Sequence, residues 1–232
     1  MTPDHPYNRP MPGQPARTNR HAVYDDLHRR IIALDLGPDA PLSENELAAE
    51  LGVSRTPIRE AMIMLQHDGL VQVFTKVGSF VSRIDAQRVA DAQFLREAVE
   101  LASLDDVPAE PPAAVVEEVR GILALQAQSE EDLDTFFRLD EQFHQGLLRL
   151  AGHDGTWPAV VAAKAHLDRA RRLGFLQRSP HVMMLQHTQV LDALLSGGAS
   201  QARPLLRAHL RGVFEDIEEV RRRSPELFSR LR

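Results

Sequence analysis

Apolar residues recur every three or four positions in the first part of the chain, a period typical of amphipathic helices. The first such segment covers residues 21 to about 34 and carries Val23, Leu27, Ile31 and Leu34. Two shorter helical segments follow, over about 43–51 and 54–68, and Gly52 separates them. Three helices are therefore predicted before residue 69.

The apolar period shortens to two after residue 69, which predicts β-strands. Apolar residues cluster at 70–74 and again at 80–81, and Thr75-Lys76-Val77-Gly78 connects the two clusters. Two short strands with so brief a connection form a hairpin. We therefore predict that residues 20–83 form one domain of three helices and a β-hairpin.

The chain beyond residue 84 has only helical periods, interrupted by proline, glycine and serine. The six predicted segments are 85–104, 112–128, 130–151, 157–178, 181–196 and 199–223. Short connections between successive helices favour an antiparallel bundle. The predicted fold class is mainly α: an N-terminal winged helix-turn-helix followed by an all-helical antiparallel bundle over residues 84–232. Residues 1–19 contain five prolines and predict a disordered tail.

Composition excludes several classes of protein. The chain has 232 residues, enough for two domains, and no cysteine. It therefore has no disulfide framework, cysteine-zinc site or thiol nucleophile. No apolar run reaches the roughly 18 residues that span a bilayer, and the N-terminus lacks the apolar stretch of a secretory signal. We expect a cytoplasmic protein with no membrane partner.

The second and third helices have the proportions of a helix-turn-helix. The first turn of the third helix presents two hydroxyls and two guanidiniums, from Ser54, Arg55, Thr56 and Arg59. In a recognition helix, such residues reach base edges and phosphates. The hairpin, with Lys76 and Gly78, is the candidate wing. The alternative is a helical hairpin with a solvated arginine face.

Charge does not by itself indicate a nucleic-acid partner. The formal net charge is −6, and residues 1–83 carry 9 Lys/Arg against 10 Asp/Glu. Specific DNA binding would therefore depend on a local patch and on dimerisation.

The segment LSENELAAELGVSRTPIREAMIMLQHDGLV, followed by KVGSFV, resembles the winged helix of the GntR family of transcription regulators. The resemblance covers about residues 21–83. It implies operator contacts at the positions of Ser54, Arg55, Thr56 and Arg59, and at the wing glycine, Gly78. Asn45 stands where many relatives carry arginine, so that contact is not carried over.

The helical domain contains a candidate metal site. Asp140 and His144 are four residues apart and therefore share one helix face, and that face is apolar. His187 and His209 also continue apolar stripes of their helices. A buried carboxylate without a partner costs several kcal/mol, so Asp140 needs a cation or hydrogen-bond donors. Taken singly, each histidine could instead be a hydrogen-bonded core residue, and Asp140 a capped or ion-paired one.

Three imidazoles and one carboxylate suit zinc first, and also nickel, manganese, cobalt or iron(II). A tetrahedral zinc ion would be filled by the four protein ligands alone. A six-coordinate ion would keep two positions for water or for a carboxylate-bearing small molecule.

Four further segments resemble the FCD ligand-binding domain of the FadR-like GntR subfamily, over about residues 84–223. The first is FLREAVE, which begins at Phe94, and the second is the pair Asp140 and His144 with three residues between them. The third is His187 followed by LDAL from Leu191, and the fourth is RAHL, which begins at Arg207. The resemblance implies a bundle of six or seven helices around a central pocket. It also implies a divalent metal held by Asp140, His144, His187 and His209.

Arg96 matches a frequent arginine of the first FCD helix and is a candidate partner for an effector carboxylate. The alternative is a salt bridge to Glu100 one turn later, or a surface arginine at a dimer contact. A second basic run is predicted mainly as a solvated helix face, and the alternative is that one member points into the pocket: Arg169, Arg171 and Arg172. The remaining histidines are predicted on the surface or in loops: His5, His21, His28, His67, His153, His166 and His181.

The preferred hypothesis is a homodimeric transcription regulator, in the commonest case a repressor, which binds a pseudo-palindromic double-stranded operator. A small organic acid would modulate that binding through the helical domain. One alternative is a regulator that senses the metal itself. A metal-dependent enzyme is disfavoured, because the one carboxylate next to a ligand, Glu141, projects about 100° around the helix from Asp140.

Overall fold

The computed structural model describes residues 20–174 and 179–229. The predicted tail, residues 1–19, lies outside the described residues. The N-terminal part contains three helices, which are α1 (Arg20–Ile32), α2 (Glu44–Glu50) and α3 (Arg55–His67). Their apolar faces meet in one core, which contains Leu27, Ile31, Ile58 and Leu65.

Local sequence signals explain where these helices begin and turn. The Ser43 side chain accepts a hydrogen bond from the Glu46 amide at 3.4 Å, which caps α2. Gly52 adopts a left-handed φ of 66°, which the sharp turn between α2 and α3 requires. Ser54 occupies the N-cap of α3, but within the described chain its hydroxyl makes no capping bond. That hydroxyl is exposed at the end of the helix.

The wing is a hairpin of β2 (Val71–Phe74) and β3 (Gly78–Val81), with Val71 paired to Val81 and Phe74 to Gly78. A two-residue strand, β1 (Pro41–Leu42), adds to the other edge of β3. The sheet order is β1-β3-β2. The sequence did not indicate β1, because two residues that begin with proline show no alternating pattern.

The rest of the described chain is helical. Its long elements are α4 (Ala86–Ser103), α5 (Ala113–Gln126), α6 (Leu133–Leu150), α7 (Trp157–Ala163), α8 (Ala165–Gly174) and α9 (Pro180–Arg223). The predicted fold class is confirmed. None of the described helices is both long and apolar enough to cross a lipid bilayer.

One predicted helix differs from the structure, and two others meet directly at a kink. The segment 157–178 contains two helices, because the helical conformation is interrupted at Lys164 between α7 and α8. Lys164 is buried there, and its ammonium donates to Asp168 and Glu141 at 2.5 Å each. The predicted residues 175–178 lie outside the described residues. The predicted segments 181–196 and 199–223 are two helices, which we label together as α9 because they follow each other directly across a sharp kink at Gly198 (φ 67°, ψ −165°).

The kink at Gly198 lets both halves of α9 pack on the same bundle. Leu191 and Leu194 from the first half and Leu206 and Leu210 from the second are buried in one core with α4, α5 and α6. The inward face of α6 contributes Phe143, which is fully buried and stacks on His187 at 4.3 Å between ring centroids. This core surrounds the polar cluster described next.

Candidate metal centre and DNA-binding surface

Asp140, His144, His187 and His209 converge in the middle of the bundle. One ligand atom from each lies within 4.8 Å of those from the other three, and all four residues are buried. The Nε2 atom of His209 lies 3.1 Å from that of His187 and 3.3 Å from that of His144. Asp140 Oδ1 lies 3.5 Å from His187 Nε2. The sequence placed these residues on three helices, and the structure brings them together.

Two local features produce this convergence. Asp140 and His144 are one turn apart on α6, so they share a face. His187 and His209 lie eleven residues before and eleven residues after the Gly198 kink. The two halves of α9 fold back on each other there, so equal spacing puts both imidazoles at the same level of the bundle.

A second layer of side chains orients each imidazole through its Nδ1 atom. Glu100 Oε2 lies 2.7 Å from Nδ1 of His144, and Gln126 Oε1 lies 2.9 Å from Nδ1 of His187. Gln186 Oε1 lies 3.0 Å from Nδ1 of His209. All three partners are oxygen acceptors, so Nδ1 carries the proton in each ring. Each Nε2 therefore presents its lone pair to the centre of the cluster.

This arrangement fits a cation. The Nε2 lone pair of His209 lies about 3 Å from those of His187 and His144 and repels both, because no proton lies between them. Asp140 Oδ1 faces the same point, and among the described residues this buried oxygen has no hydrogen-bond partner. A positive ion between the four atoms satisfies all of them at once. Three nitrogens and one carboxylate oxygen are a ligand set that zinc and other divalent transition metals accept.

The protonation states favour the same conclusion. Burial lowers the pKa of His187 to about 3 and the pKa of His209 well below its usual value. Burial and the nearby Arg96 lower the pKa of His144. Burial alone would raise the pKa of Asp140, but Arg171 and the imidazoles hold it well below its usual range. At neutral pH the cluster therefore offers neutral imidazoles and a carboxylate.

Arg171 is a site residue that the sequence analysis placed mainly in solvent. It is buried on α8, and its Nη2 donates to Asp140 Oδ2 at 2.7 Å. Arg169 is also fully buried, so the prediction of a mainly solvated face was wrong, although one member of the run, Arg171, lines the cavity as the sequence analysis allowed. Only Arg172 of that run is partly exposed, where it pairs with Asp134. The signal for Arg171 was its spacing from Leu167 and Gly174, four and three residues away, which puts it on the buried face of α8.

Arg96 forms the intrahelical pair that was the alternative to an effector contact, with its Nε 2.7 Å from Glu100 Oε1. The pair is buried, and Arg96 and His144 lower the pKa of Glu100 to about 2 against the effect of burial. Arg96 also lines a small cavity of about 30 Å³ next to the cluster, together with Arg171, His209 and Phe137. The effector contact and the intrahelical pair are both compatible with this position, whereas the alternative of a surface arginine was wrong, because Arg96 is buried.

His166 was predicted at the surface and is instead buried on α8. Its Nδ1 accepts from the Asp85 amide at 3.2 Å, so its Nε2–H donates to the Gly69 carbonyl, also at 3.2 Å. The prediction failed because Gly69 and Asp85 lie about 80 to 100 residues away in the chain.

The candidate DNA-binding residues lie on the surface of the N-terminal winged helix. Ser54, Arg55, Thr56 and Arg59 are exposed on the first turns of α3. Lys76 and Gly78 are exposed at the tip of the wing, where both have positive φ angles. These six residues make up a surface that we call the recognition face.

Glu44, which the sequence analysis did not consider, holds both arginines of the recognition face. Its Oε1 accepts from Arg59 Nε at 3.1 Å, and its Oε2 accepts from Arg59 Nη2 at 2.8 Å and Arg55 Nη2 at 2.9 Å. Hydrogen bonds from the two guanidiniums lower the pKa of Glu44 to about 2. The carboxylate thus aligns the arginines and also neutralises part of their charge.

Comparisons with known proteins agree with this architecture. The family model described as "Bacterial regulatory proteins, gntR family" matches residues 19–81, and the FCD domain model matches residues 91–212. An uncharacterised HTH-type transcriptional regulator in an unstable DNA locus of Streptomyces ambofaciens is 58% identical, over 92% of this chain and 91% of its own. The HTH-type transcriptional repressor RspR of Escherichia coli K12 is 31% identical, over 93% of this chain and 96% of its own.

Solved structures show the same fold. A GntR-type regulator from Rhodococcus sp. RHA1 is 24% identical and superposes with a TM-score of 0.70, over 86% of this chain and 97% of its own. E. coli McbR/YncC, at 17% identity, covers the same shares and gives a TM-score of 0.71.

Replacement of one imidazole tests the candidate metal centre. We expect purified wild-type protein to contain close to one divalent metal ion per chain, and His187→Ala to contain almost none, because its Nε2 is one of four converging donors. Elemental analysis after gel filtration measures the content. His181→Ala is the matched control, since this exposed histidine lies near the start of the same helix. Full occupancy in His187→Ala would show that the ligand set is wrong.

Replacement of Glu44 tests the role of the carboxylate that holds the two arginines. We expect Glu44→Gln to strengthen non-specific DNA binding and to steepen the dependence of log K on log salt by about one unit, because one more cation is free for phosphates. The ratio of specific to non-specific affinity should fall, because the arginines lose their shared orientation. Titrations at several salt concentrations measure both quantities.

Glu46→Gln is the control for Glu44→Gln, since it removes the same charge from an exposed position of the same helix. If the two variants change the specificity ratio equally, the effect belongs to net charge and Glu44 has no positioning role.

Proposed function

Because the chain belongs to the GntR family of bacterial regulatory proteins and carries an FCD domain, we propose that it is a homodimeric transcription repressor controlled by a small carboxylate metabolite. The helical domain would hold a divalent metal ion, zinc in first place, beside the metabolite. The observation that carries the proposal is the buried cluster of four converging donors in the same chain as an exposed recognition face. Its place of action would be the cytoplasm, where bacterial DNA lies.

The recognition face provides the chemistry that operator binding needs. Arg55 and Arg59 are exposed and one turn apart, so both can enter a major groove, where arginine binds guanine O6 and N7. Ser54 and Thr56 at the helix N-terminus suit phosphate oxygens. Lys76 and the backbone at Gly78 would contact the flanking groove through the wing.

The metal ion would be held by Asp140 Oδ1 and the Nε2 atoms of His144, His187 and His209. Bound there, it would supply a Lewis-acidic positive centre able to accept a carboxylate oxygen. Glu100, Gln126 and Gln186 keep the imidazoles in the tautomer that such an ion requires.

Charge balance favours an anionic metabolite. Among the buried residues in contact with the imidazoles or with each other, two carboxylates, Asp140 and Glu100, are matched by two guanidiniums, Arg171 and Arg96. A divalent ion adds two positive charges to this balanced, buried site. An anion that reaches the site restores the balance, and Arg96 and Arg171 can bind its carboxylate.

The neighbouring cavity is too small for a whole metabolite in this conformation. Its volume of about 30 Å³ is far below the roughly 300–1,000 Å³ of ligand pockets. A bound organic acid would therefore move the side chains that line it, among them Arg171. Ligand binding and a conformational change would thus be linked.

Dimer formation is supported by an exposed aromatic residue on α4. Phe94 is 77% exposed and borders a groove lined by Ala98, Leu101 and the ion pair of Glu97 with Arg211. A two-fold contact between identical chains pairs one surface with a second copy of itself. A side chain that projects from that surface therefore needs a groove on the same surface. Two recognition helices one turn of DNA apart would then match a pseudo-palindromic operator.

Repression as the sign of regulation is supported by relatives, of which RspR and the Bacillus subtilis gluconate operon repressor are named repressors. Metal sensing is the second candidate, because the four buried ligands by themselves complete a tetrahedral zinc site. An enzymatic role has less support, since Glu141 points away from the cluster and pairs with Lys164.

Loss of one recognition arginine tests the DNA-binding role. We expect Arg59→Ala to reduce specific operator affinity about 10- to 100-fold, the cost of about one bidentate base contact. Arg29→Ala, which removes an exposed charge from α1 of the same domain, should change it far less. Fluorescence anisotropy with an operator fragment recovered by in vitro selection measures both. Unchanged specific affinity in Arg59→Ala would contradict the assignment.

Thermal melting against a panel of carboxylic acids, before and after chelation, tests the effector role. A ligand that binds only the native state raises the melting temperature as its concentration rises. We expect one acid to stabilise the metal-loaded protein and to lose most of its effect after chelation. A large fall on chelation with no response to any acid would favour metal sensing instead.

A further inference from the structure

We propose that helix α8 transmits the state of the metal and effector site to the DNA-binding domain, because it contacts Asp140 at one point and both ends of the wing hairpin at two others. The inference rests on the proposed function. The three contacts are made by Arg171, Arg169 and His166, all buried on one ten-residue helix.

The first contact lies at the candidate metal centre. Arg171 Nη2 donates to Asp140 Oδ2 at 2.7 Å, while Asp140 Oδ1 faces the imidazoles. Arg171 also lines the small cavity next to His209. An anion in that cavity would compete with Asp140 for the Arg171 guanidinium. A metal cation on Oδ1 would change how strongly Oδ2 attracts the same guanidinium. Either event alters the position that α8 prefers.

The other two contacts hold the base of the wing. His166 Nε2 donates to the carbonyl of Gly69, two residues before β2 begins, at 3.2 Å. Arg169 Nη2 donates to the carbonyl of Ser82, directly after β3 ends, at 2.6 Å. His166 also accepts the Asp85 amide, just before α4. One helix therefore holds both ends of the wing hairpin at its base.

The helix is stiff and its contacts are close together. His166 and Arg171 are five residues apart, which is about 7.5 Å along a helix axis. Ala165 at its start packs against the core of the winged helix, whereas Leu167 and Ala170 belong to a core shared with α4 and α9. A shift of α8 at Arg171 therefore moves the base of the wing by a similar distance.

Arg169 is poorly satisfied in the present arrangement. It is fully buried, and its Nε and Nη1 atoms have no hydrogen-bond partner within the part of the chain that the structure describes. A buried guanidinium with a single acceptor is costly, so a modest movement of α8 that offers further acceptors would be favoured. An incompletely paired charge such as the Arg169 guanidinium is therefore consistent with a second stable position of α8.

The test compares metal-loaded protein with protein stripped by a chelator, with Zn²⁺ as the probe. In the wild type, we expect chelation to change operator affinity about fivefold or more and to change amide hydrogen exchange within residues 69–85. In Arg169→Met and in His166→Gln, metal content should stay at the wild-type level, but operator affinity should become nearly independent of the metal. Arg169→Met removes a buried, poorly paired charge, so it is expected to fold.

Arg172→Met is the matched control, because it removes a charge from the same helix that pairs with Asp134 and not with the wing. It should retain the wild-type response to chelation. The inference is overturned if the wild type shows no response in either readout, or if Arg169→Met and His166→Gln both keep the full response. Failure of the proposed function looks different: the wild type would then lack the metal or specific operator binding altogether.

Discussion

The buried carboxylate of Asp140 is the constraint on which the helical domain depends. A fully buried anion costs several kcal/mol unless it is paired. One oxygen is paired by Arg171 from α8, and the other faces three imidazole nitrogens whose protons are turned away. Each of those imidazoles is in turn held by a buried or partly buried side-chain oxygen. The polar residues of the bundle core thus form one connected network around a single position for a cation.

The backbone kink at Gly198 makes that network possible. A straight helix would put His187 and His209 more than 30 Å apart, at 1.5 Å per residue, whereas their Nε2 atoms lie 3.1 Å apart. The left-handed φ of Gly198 allows the chain to reverse within one residue. The apolar stripes on both halves of α9 then bury the same core, so the packing that stabilises the bundle also positions the ligands.

The DNA-binding side is organised differently, with exposed charges and few tertiary contacts. Arg55 and Arg59 remain available to solvent, and Glu44 pairs with both of them. Exposed ion pairs of this kind contribute little to stability, so their importance lies in orientation. The two sites communicate, in our proposal, through α8, whose buried residues touch both. This connection explains why Arg169 and His166, which belong to neither site, are nevertheless buried.

The sequence by itself determined the mainly helical fold, the winged helix with its exposed recognition residues, and the four candidate ligands, because all of these depend on local spacing. Asp140 and His144 share a face by helix geometry alone, and Gly197-Gly198 marked the break in α9. Only the tertiary structure decided what surrounds them. Arg171 reaches Asp140 across 31 residues and His166 reaches Gly69 across 97. The spacing of Arg171 from Leu167 and Gly174 indicates the buried face of α8, but no local pattern names its partner. Which side chains meet across such distances is decided by how the helices pack.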